Sequence, residues 1–518
     1  MPVAYTLGVM AFLDGEDRTL AEAISRLAFC NPFLPERIEC ERQALGGDFV
    51  AGGTLWHASG EPEPTPNVRL LRERAESLTG RLAAKLREGA RPGAEDRRLY
   101  EEAVVYRLFS RYEEDLYGLI DDRRATATAA FYRAFRQDVE RLLQIPGVTL
   151  LAERDVPHLF AGFFQIRRAF HYIFRNIVGN SAPIVRLRAA VWQSIFTRDM
   201  RRYRRSLYQR MGDVATLISG PSGTGKELVA RAIGLARYVP FDPDREAFTD
   251  DYAASFYALN PSALSPTLIE SELFGHRRGA FTGAVQDRAG WLEVCPALGT
   301  VFLDEIGELD PAIQVKLLRV LQARTFQRLG DTRDRPFQGK LIAATNRDLS
   351  REIQARRFRE DFYYRLCSDL IVTPSLEEQL RGAPGERGAL VRVIAGRVAG
   401  EAEAESLAEE SERWIVTHLG DEYRWPGNVR ELEQCVRNVM VRGEYRPTRG
   451  DSPTARQRVA DELLAGALSA EEMLRRYCTL VYSATGSFQE TGRRLGLDRR
   501  TVKEKIDAAL LAELRGEG

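Results

Sequence analysis

The stretch Gly220-Pro221-Ser222-Gly223-Thr224-Gly225-Lys226 decides the fold of this chain. It follows the apolar run 215–219, which predicts a buried strand, and it precedes a helical pattern over 228–236. A G-x-x-x-x-G-K turn between a strand and a helix is typical of a phosphate-binding loop, because its backbone N–H groups turn inward and the helix adds its positive end. Glu227 stands where a serine or threonine usually follows the lysine. The predicted nucleotide contacts are Gly220, Ser222, Gly223, Thr224, Gly225, Lys226 and Glu227.

Acidic residues follow a second predicted strand, 300–303. Asp304 is the candidate that organises Mg²⁺ through water, and Glu305 is the candidate base that polarises the attacking water. Asn346 follows a further predicted strand, 341–345, and is expected to hold that water or to contact the terminal phosphate. These three side chains and the phosphate loop together predict an ATP-hydrolysing site.

The pattern along the chain predicts a multidomain protein. Apolar residues recur at helical spacing before residue 176, and strands then alternate with helices, which favours a parallel α/β sheet. The expected parts are a helical regulatory domain (1–175), an α/β core (176–372), a helical lid (373–444), a linker (445–458) and an all-α tail (459–518).

Composition limits the classes of function. The chain has 518 residues, with 74 basic and 74 acidic side chains, so any attraction to nucleic acid or to an anionic membrane must be local. Its six scattered cysteines and five unclustered histidines argue against a disulfide framework and a metal module, and favour a reducing cytosol. No apolar run reaches the ~18 residues of a membrane span, so no membrane association is expected.

Five segments carry a family resemblance. The hexapeptide Gly-Ala-Phe-Thr-Gly-Ala at 279–284 follows Glu-Ser-Glu-Leu-Phe-Gly-His at 270–276. Segments 299–309, 358–366 and 425–432 look like a Walker B strand, an arginine-finger segment and a sensor II helix. With the phosphate loop, they resemble the AAA+ module of bacterial enhancer-binding proteins, the sigma-54-dependent transcription activators. The resemblance covers about 177–442 and the tail.

The resemblance implies an ATP- and Mg²⁺-dependent ATPase that assembles from dimers into a ring, usually a hexamer. Arg359 and Arg365 would reach the terminal phosphate bound to the neighbouring subunit, and Arg430 would report nucleotide state to the lid. Asn260 would exchange a hydrogen bond with Glu305 and couple hydrolysis to the hexapeptide loop. That loop would leave a helix, carry Phe281 as an exposed tip and contact sigma-54 in RNA polymerase. Its expected contacts are Gly279, Ala280, Phe281, Thr282, Gly283 and Ala284.

The tail reads as two helices around Gly496, with Asp498 as the cap of the second. It resembles the Fis-type helix-turn-helix that ends most enhancer-binding proteins, where the second helix reads the DNA major groove. The local positive charge fits phosphate contact. Candidate contacts to double-stranded DNA upstream of promoters are Arg499, Arg500, Thr501 and Lys503.

Several alternatives stay open. The first 175 residues carry no recognisable sensor motif, so they are either a regulatory domain of unknown ligand or a scaffold for ring assembly. The basic segment around 198–210 is either a nucleic-acid patch, a solvated helix face or a docking surface for the N-terminal region. Two other classes compete with the activator: a DNA-binding regulator whose ATPase only controls oligomerisation, and a general remodelling ATPase.

Overall fold

The computed structural model describes residues 12–51, 66–121, 129–251, 253–261, 265–421, 423–447, 455–464, 466 and 468–516. The chain divides into a large unit, Met1–Glu444, and a tail unit, Tyr445–Gly518. Over the described residues, no helix combines the length and the apolar character needed to cross a membrane.

Helices dominate the start of the large unit, as the apolar spacing predicts. Leu71, Leu78 and Leu82 lie on one helix face and are fully buried. The elements are α1 (Gly15–Leu27), α2 (Glu36–Leu45), α3 (Pro66–Arg87), α4 (Ala94–Asp121), α5 (Tyr132–Leu143), a hairpin of β1 (Gln144–Ile145) and β2 (Val148–Thr149), and α6 (Val156–Asn176).

The middle of the large unit alternates strands and helices. Its first half comprises α7 (Ala182–Phe196), α8 (Met200–Arg205), β3 (Thr216–Ser219), α9 (Lys226–Gly234), β4 (Phe241–Asp242), β5 (Ala247–Phe248), β6 (Phe256–Leu259), α10 (Pro266–Phe274), β7 (Gly275–His276), β8 (Arg288–Ala289) and α11 (Trp291–Val294). Its second half comprises β9 (Thr300–Leu303), α12 (Pro311–Ala323), β10 (Thr325–Phe326), β11 (Arg335–Pro336), β12 (Lys340–Thr345), α13 (Leu349–Gln354), α14 (Glu360–Leu366) and β13 (Asp369–Val372).

A five-stranded parallel sheet in the order β13-β3-β12-β9-β6 forms the centre of this α/β core. This confirms the predicted parallel sheet, and β3, β9 and β12 fall where the sequence places buried strands. The sequence interpretation missed β13, an edge strand whose Leu370 and Val372 are exposed while Ile371 is buried. Because the strands are parallel, their carboxyl ends share one edge of the sheet, where ligands of such folds bind.

Helix α6 joins the N-terminal helices to the α/β core. On it, Phe164 stacks on Phe248 with ring centroids 4.1 Å apart. Arg168, which is fully buried, donates to the carbonyl oxygens of Leu235 (2.9 Å) and Arg237 just beyond α9. The expected boundary at 175/176 therefore falls at the end of a helix inside continuous packing, and not at a gap between separate bodies.

The lid is helical, as predicted. It consists of α15 (Leu376–Leu380), α16 (Glu386–Ala399), α17 (Ala404–His418) and α18 (Asn428–Arg442). Glu386 at the start of α16 accepts from the backbone N–H groups of Asn180 (2.8 Å) and Ser181 (3.1 Å), just before α7. This contact fixes one end of the lid to the core.

The tail unit contains α19 (Ala455–Leu464), α20 (Ala470–Thr485), α21 (Phe488–Leu495), α22 (Arg499–Glu504) and α23 (Ala508–Gly516). Of the predicted linker 445–458, residues 448–454 lie outside the described residues, and α19 begins inside its C-terminal part.

Candidate functional site

The phosphate loop connects β3 to α9 and requires glycine at two positions for lack of space. A Cβ on Gly220 would lie 2.1 Å from the Thr373 hydroxyl oxygen, and a Cβ on Gly223 would lie 2.3 Å from the carbonyl oxygen of Gly427. Gly223 and Gly225 also have φ of +78° and +86°, which glycine adopts without strain. The loop is thus a backbone cradle closed from outside by the segments after β13 and before α18.

Lys226, the first residue of α9, folds back over the loop. Its ammonium group donates to the carbonyl oxygens of Gly220 and Pro221, both at 3.1 Å. Burial lowers the pKa of Lys226, and the nearby carboxylates of Glu305 and Asp304 oppose that shift. A charged amine held over the cradle can contact the outer phosphates of a nucleotide.

The lid reaches the loop through the start of α18. The amide of Asn428 donates to Ser222 O at 2.9 Å and accepts from the backbone N–H of Leu376 at 2.8 Å. Arg430, two residues further, donates to the Ser222 hydroxyl at 3.1 Å, so this predicted residue does lie against the loop. The sequence interpretation missed Asn428. In the structure its φ is +54°, in the left-handed region that asparagine adopts more readily than most residues.

The acidic pair lies at the carboxyl edge of the sheet. Asp304 follows β9, and its backbone N–H donates to Leu259 O at 2.9 Å, which places it beside the end of β6. Burial raises the pKa of Asp304, while a hydrogen bond from the Glu305 backbone and the charge of Lys226 oppose the rise. Such a half-buried carboxylate is suited to a divalent cation, which would supply the missing positive charge.

Glu305 sits in a left-handed conformation (φ +49°, ψ +48°), which turns the chain sharply after the strand. It accepts a hydrogen bond from the backbone N–H of Asn346 at 3.2 Å. Asn260 follows β6 at the same edge and is exposed. The predicted exchange between Asn260 and Glu305 stays a prediction.

These elements enclose a pocket of about 410 Å³ that combines the loop, the acids and an apolar wall. The predicted members Ser222, Gly223, Thr224, Gly225, Lys226, Glu227, Asp304, Glu305 and Arg430 all line it. The sequence interpretation missed the apolar wall, which comes from Ile177, Val178, Ile184, Leu187, Leu390 and Ile394. A cradle for phosphates beside an apolar wall fits a nucleotide with its base.

Neither Arg359 nor Arg365 is among the described residues that line this pocket. Arg359 caps α14 and pairs with Asp361 at 2.7 Å, and Arg365 is exposed on the same helix. They would contact a nucleotide only if it were held by another subunit.

The hexapeptide 279–284 is the tip of a hairpin whose stem pairs β7 with β8. Gly279 N donates to Ala284 O at 2.8 Å, which closes the tip, and Asp287 accepts from Arg278 N at 2.8 Å below it. The loop was expected to leave a helix with Phe281 as its exposed tip. Instead a two-residue strand follows α10, and Phe281 is half-buried because its ring packs 5.0 Å from that of His276. Thr282 is exposed.

In the tail unit, the predicted helix pair is α21 and α22. Asp498 caps α22, as predicted, by accepting from the backbone N–H groups of Arg500 and Thr501, both at 2.9 Å. The hydroxyl of Thr501 bonds the same carboxylate at 2.6 Å. Arg499, Arg500 and Lys503 are exposed on one short helix.

Part of the basic segment around 198–210 docks on the N-terminal helices. Arg201 pairs with the buried Glu102 at 2.7 Å, and Arg204 pairs with Glu101 at 3.0 Å, both on α4. The guanidinium group of Arg201 also lies 4.5 Å from the ring centroid of Phe29. These contacts support the docking interpretation over the nucleic-acid patch.

The chain is similar in sequence to known regulatory proteins. Residues 195–371 match the family described as the sigma-54 interaction domain. The chain is 44% identical over 233 residues to the hydrogenase transcriptional regulatory protein HoxA of Bradyrhizobium diazoefficiens, covering 44% of this chain and 43% of HoxA. It is 42% identical over 230 residues to a Nif-specific regulatory protein of Azotobacter vinelandii, covering 44% of this chain and 40% of that protein.

The transcriptional regulatory protein ZraR of Klebsiella oxytoca is 37% identical over 302 residues, which are 57% of this chain and 63% of ZraR. The chain thus spans between 40% and 63% of the length of these three relatives. Among solved structures, NtrX from Brucella abortus is similar with a TM-score of 0.38 and 21% identity, covering 73% of this chain and 78% of NtrX.

Proposed function

We propose that this chain is an ATP-dependent transcription activator, because residues 195–371 match the sigma-54 interaction domain. It binds double-stranded DNA upstream of promoters, assembles into a ring and uses ATP hydrolysis to remodel sigma-54 RNA polymerase through its 279–284 loop. The observation that carries the proposal is that the large unit holds both a pocket beside the phosphate loop and a hairpin with an exposed Thr282.

The residues of the pocket divide the work of hydrolysis. Backbone N–H groups of the phosphate loop and the Lys226 ammonium would hold the phosphates. Asp304 would hold Mg²⁺ through water, and the bound ion would neutralise charge on the phosphate oxygens. Glu305 would orient and deprotonate the attacking water, with Asn346 positioning the carboxylate through its backbone N–H.

The arginine fingers require a homo-oligomer. Arg359 and Arg365 lie outside the pocket of their own subunit, so their proposed action on the terminal phosphate is across a subunit boundary. An arginine supplied in this way accelerates phosphoryl transfer by about 10³–10⁵-fold in other NTPases. Hydrolysis would then depend on protein concentration.

Coupling to the hairpin would run along the carboxyl edge of the sheet. Asn260 and the acidic pair lie at the ends of adjacent strands. From Asn260 the chain continues to α10, which ends at Phe274 where the hairpin stem begins. Loss of the terminal phosphate would change the position of Glu305 and then its contact with Asn260. That change would shift the hairpin that presents Thr282.

The DNA-binding part of the proposal has its own test. Arg499, Arg500 and Lys503 are exposed and would contact phosphates or base edges, whereas the Thr501 hydroxyl is already bonded to Asp498. Replacing Lys503 with alanine should reduce the dependence of DNA affinity on salt by about one phosphate contact. Unchanged affinity and salt dependence on replacing all three cations would remove DNA binding by this helix.

The central experiment mixes the purified chain with sigma-54 factor, ADP and aluminium fluoride, and detects a complex by native gel electrophoresis. Thr282→Ala should abolish the complex while ATP hydrolysis continues. Lys226→Met should abolish both, with hydrolysis reduced by about 10²–10³-fold, because the charge on the phosphates is lost. Hydrolysis without any complex would favour the regulator whose ATPase only controls oligomerisation.

A further inference from the structure

A second pocket, of about 390 Å³, lies between the N-terminal helices and the first helices of the core. Different residues of α7 line this pocket and the nucleotide pocket. Most of its wall is apolar and aromatic, as is typical of a small-molecule site. The wall residues that matter here are Leu71, Phe109, Phe163, Phe170, Trp192 and Met200.

Buried charges interrupt this apolar wall. Arg37 pairs with Glu41 at 2.8 Å, and both side chains are about nine-tenths buried, with 11% and 8% exposure. Arg72 pairs with Glu113, and Arg167 lies 4.0 Å from the same carboxylate. Buried charges are costly in an apolar site and are retained when they are paired or when they bind a ligand.

Glu113 faces the guanidinium groups of Arg72 and Arg167. The Nε of Arg72 is buried and has no hydrogen-bond acceptor among the described residues. Leaving such a donor unmet is unfavourable, and an anionic acceptor is the strongest partner for it. Glu114, which also lines the pocket, is exposed.

We propose that this pocket binds a small amphipathic organic anion, with an apolar, aromatic or aliphatic body and one carboxylate or sulfonate group. The body would fill the space between Phe109, Phe163 and Trp192, and the anionic group would accept from Arg72. The site rests on its own geometry and not on the proposed function.

A ligand in this pocket would alter the nucleotide pocket through α7, which lines both. Trp192 lines this second pocket, and Ile184 and Leu187 of the same helix line the nucleotide pocket. Leu187 and Trp192 are only about 7.5 Å apart along the helix axis, so a shift of one end moves the other. In parallel, α6 presents Arg167 to the second pocket, while its neighbour Arg168 donates to the chain just after α9. This coupling, unlike the site, rests on nucleotide binding by the proposed function.

The binding test uses two fluorescent probes of similar aromatic body, anionic 8-anilinonaphthalene-1-sulfonate and uncharged N-phenyl-1-naphthylamine, titrated into the full chain. We expect one high-affinity site for the anionic probe. Arg72→Met should weaken it about tenfold, since a charge-assisted hydrogen bond is lost, while binding of the uncharged probe is unchanged. Arg69→Met is the matched control, because Arg69 is exposed on the same helix and should have no effect.

A second variant changes affinity in the opposite direction. Glu113→Gln removes the carboxylate that competes for Arg72 and should tighten the anionic probe, which mere damage to the fold would not do. Equal effects of Arg72→Met and Arg69→Met, weaker binding to Glu113→Gln, or preference for the uncharged probe would each overturn the proposal.

The coupling is measured by titrating ADP calorimetrically with and without saturating anionic probe. We expect the ADP dissociation constant to change at least about threefold, and the probe constant to change by the same factor when ADP saturates, as linkage requires. Probe binding with no change in ADP affinity would overturn the coupling, while ADP binding absent altogether would instead count against the proposed function.

Discussion

The phosphate loop and the hexapeptide loop both place glycines in the left-handed region, with φ of +78° at Gly223 and +81° at Gly279. Their surroundings differ completely. A Cβ on Gly223 would meet the carbonyl oxygen of Gly427, whereas a Cβ on Gly279 would meet no atom within 4 Å. One glycine is fixed by a neighbouring segment and the other only by its own backbone conformation. The first loop is held from outside by a distant segment, and at Gly279 the second is not.

The largest expected difference between the two loops appears when one methyl group is added to a glycine of each. Gly223→Ala combines left-handed strain with the clash against Gly427, so we expect the free energy of unfolding to fall by about 3 kcal/mol and ADP affinity to drop at least tenfold. Gly279→Ala carries only the backbone strain, about 1 kcal/mol, and should leave ADP affinity unchanged. Urea unfolding and calorimetric ADP titration measure both. Equal losses in the two variants would show that the phosphate loop is not fixed from outside.

Asn428 sharpens the comparison from the lid side. Asn428→Ala removes the hydrogen bonds to Ser222 and Leu376, and we expect the free energy of unfolding to fall by about 2 kcal/mol with weaker ADP binding. Asn438→Ala on the same helix is the control, because the Asn438 side chain donates to Gln434 O within its own helix. This substitution should cost less than about 0.5 kcal/mol. If Asn428→Ala left ADP affinity intact, the lid would not stabilise the loop.

The smallest expected effects are opposite changes in melting temperature when one carboxylate in each region is neutralised. Burial raises the pKa of Asp304, so its ionised form opposes folding, and Asp304→Asn should raise the melting temperature at pH 7. Asp287 lies beneath the tip of the hairpin, and hydrogen bonds from the Arg278 backbone and the Arg277 side chain lower its pKa. Asp287→Asn should therefore lower the melting temperature at pH 7. Each difference should shrink as the pH falls through the carboxyl group's own folded pKa, because the wild-type group is then protonated too. Shifts of the same sign in thermal melts would contradict this assignment.

Sequence alone was sufficient for the features that depend on near neighbours. The phosphate loop, the acidic pair after β9, the cap at Asp498 and the parallel sheet all follow from local periodicity and from residues close together in the chain. Arg430 was placed against the loop by the resemblance of its segment to sensor II, and the structure puts it there.

Tertiary structure decided what closes the pocket and what supports it. Thr373 and Gly427 approach the loop from segments more than 140 residues away, and the apolar wall comes from residues 177–178, α7 and α16. No local pattern marks such contacts, because a residue that packs across a fold obeys the same helical or strand spacing as any other core residue. The sequence did not reveal the edge strand β13, because two of its four residues are exposed and it does not behave as a buried strand. The position of Phe281 was likewise set by the ring of His276, which the sequence of the loop does not show to be its neighbour.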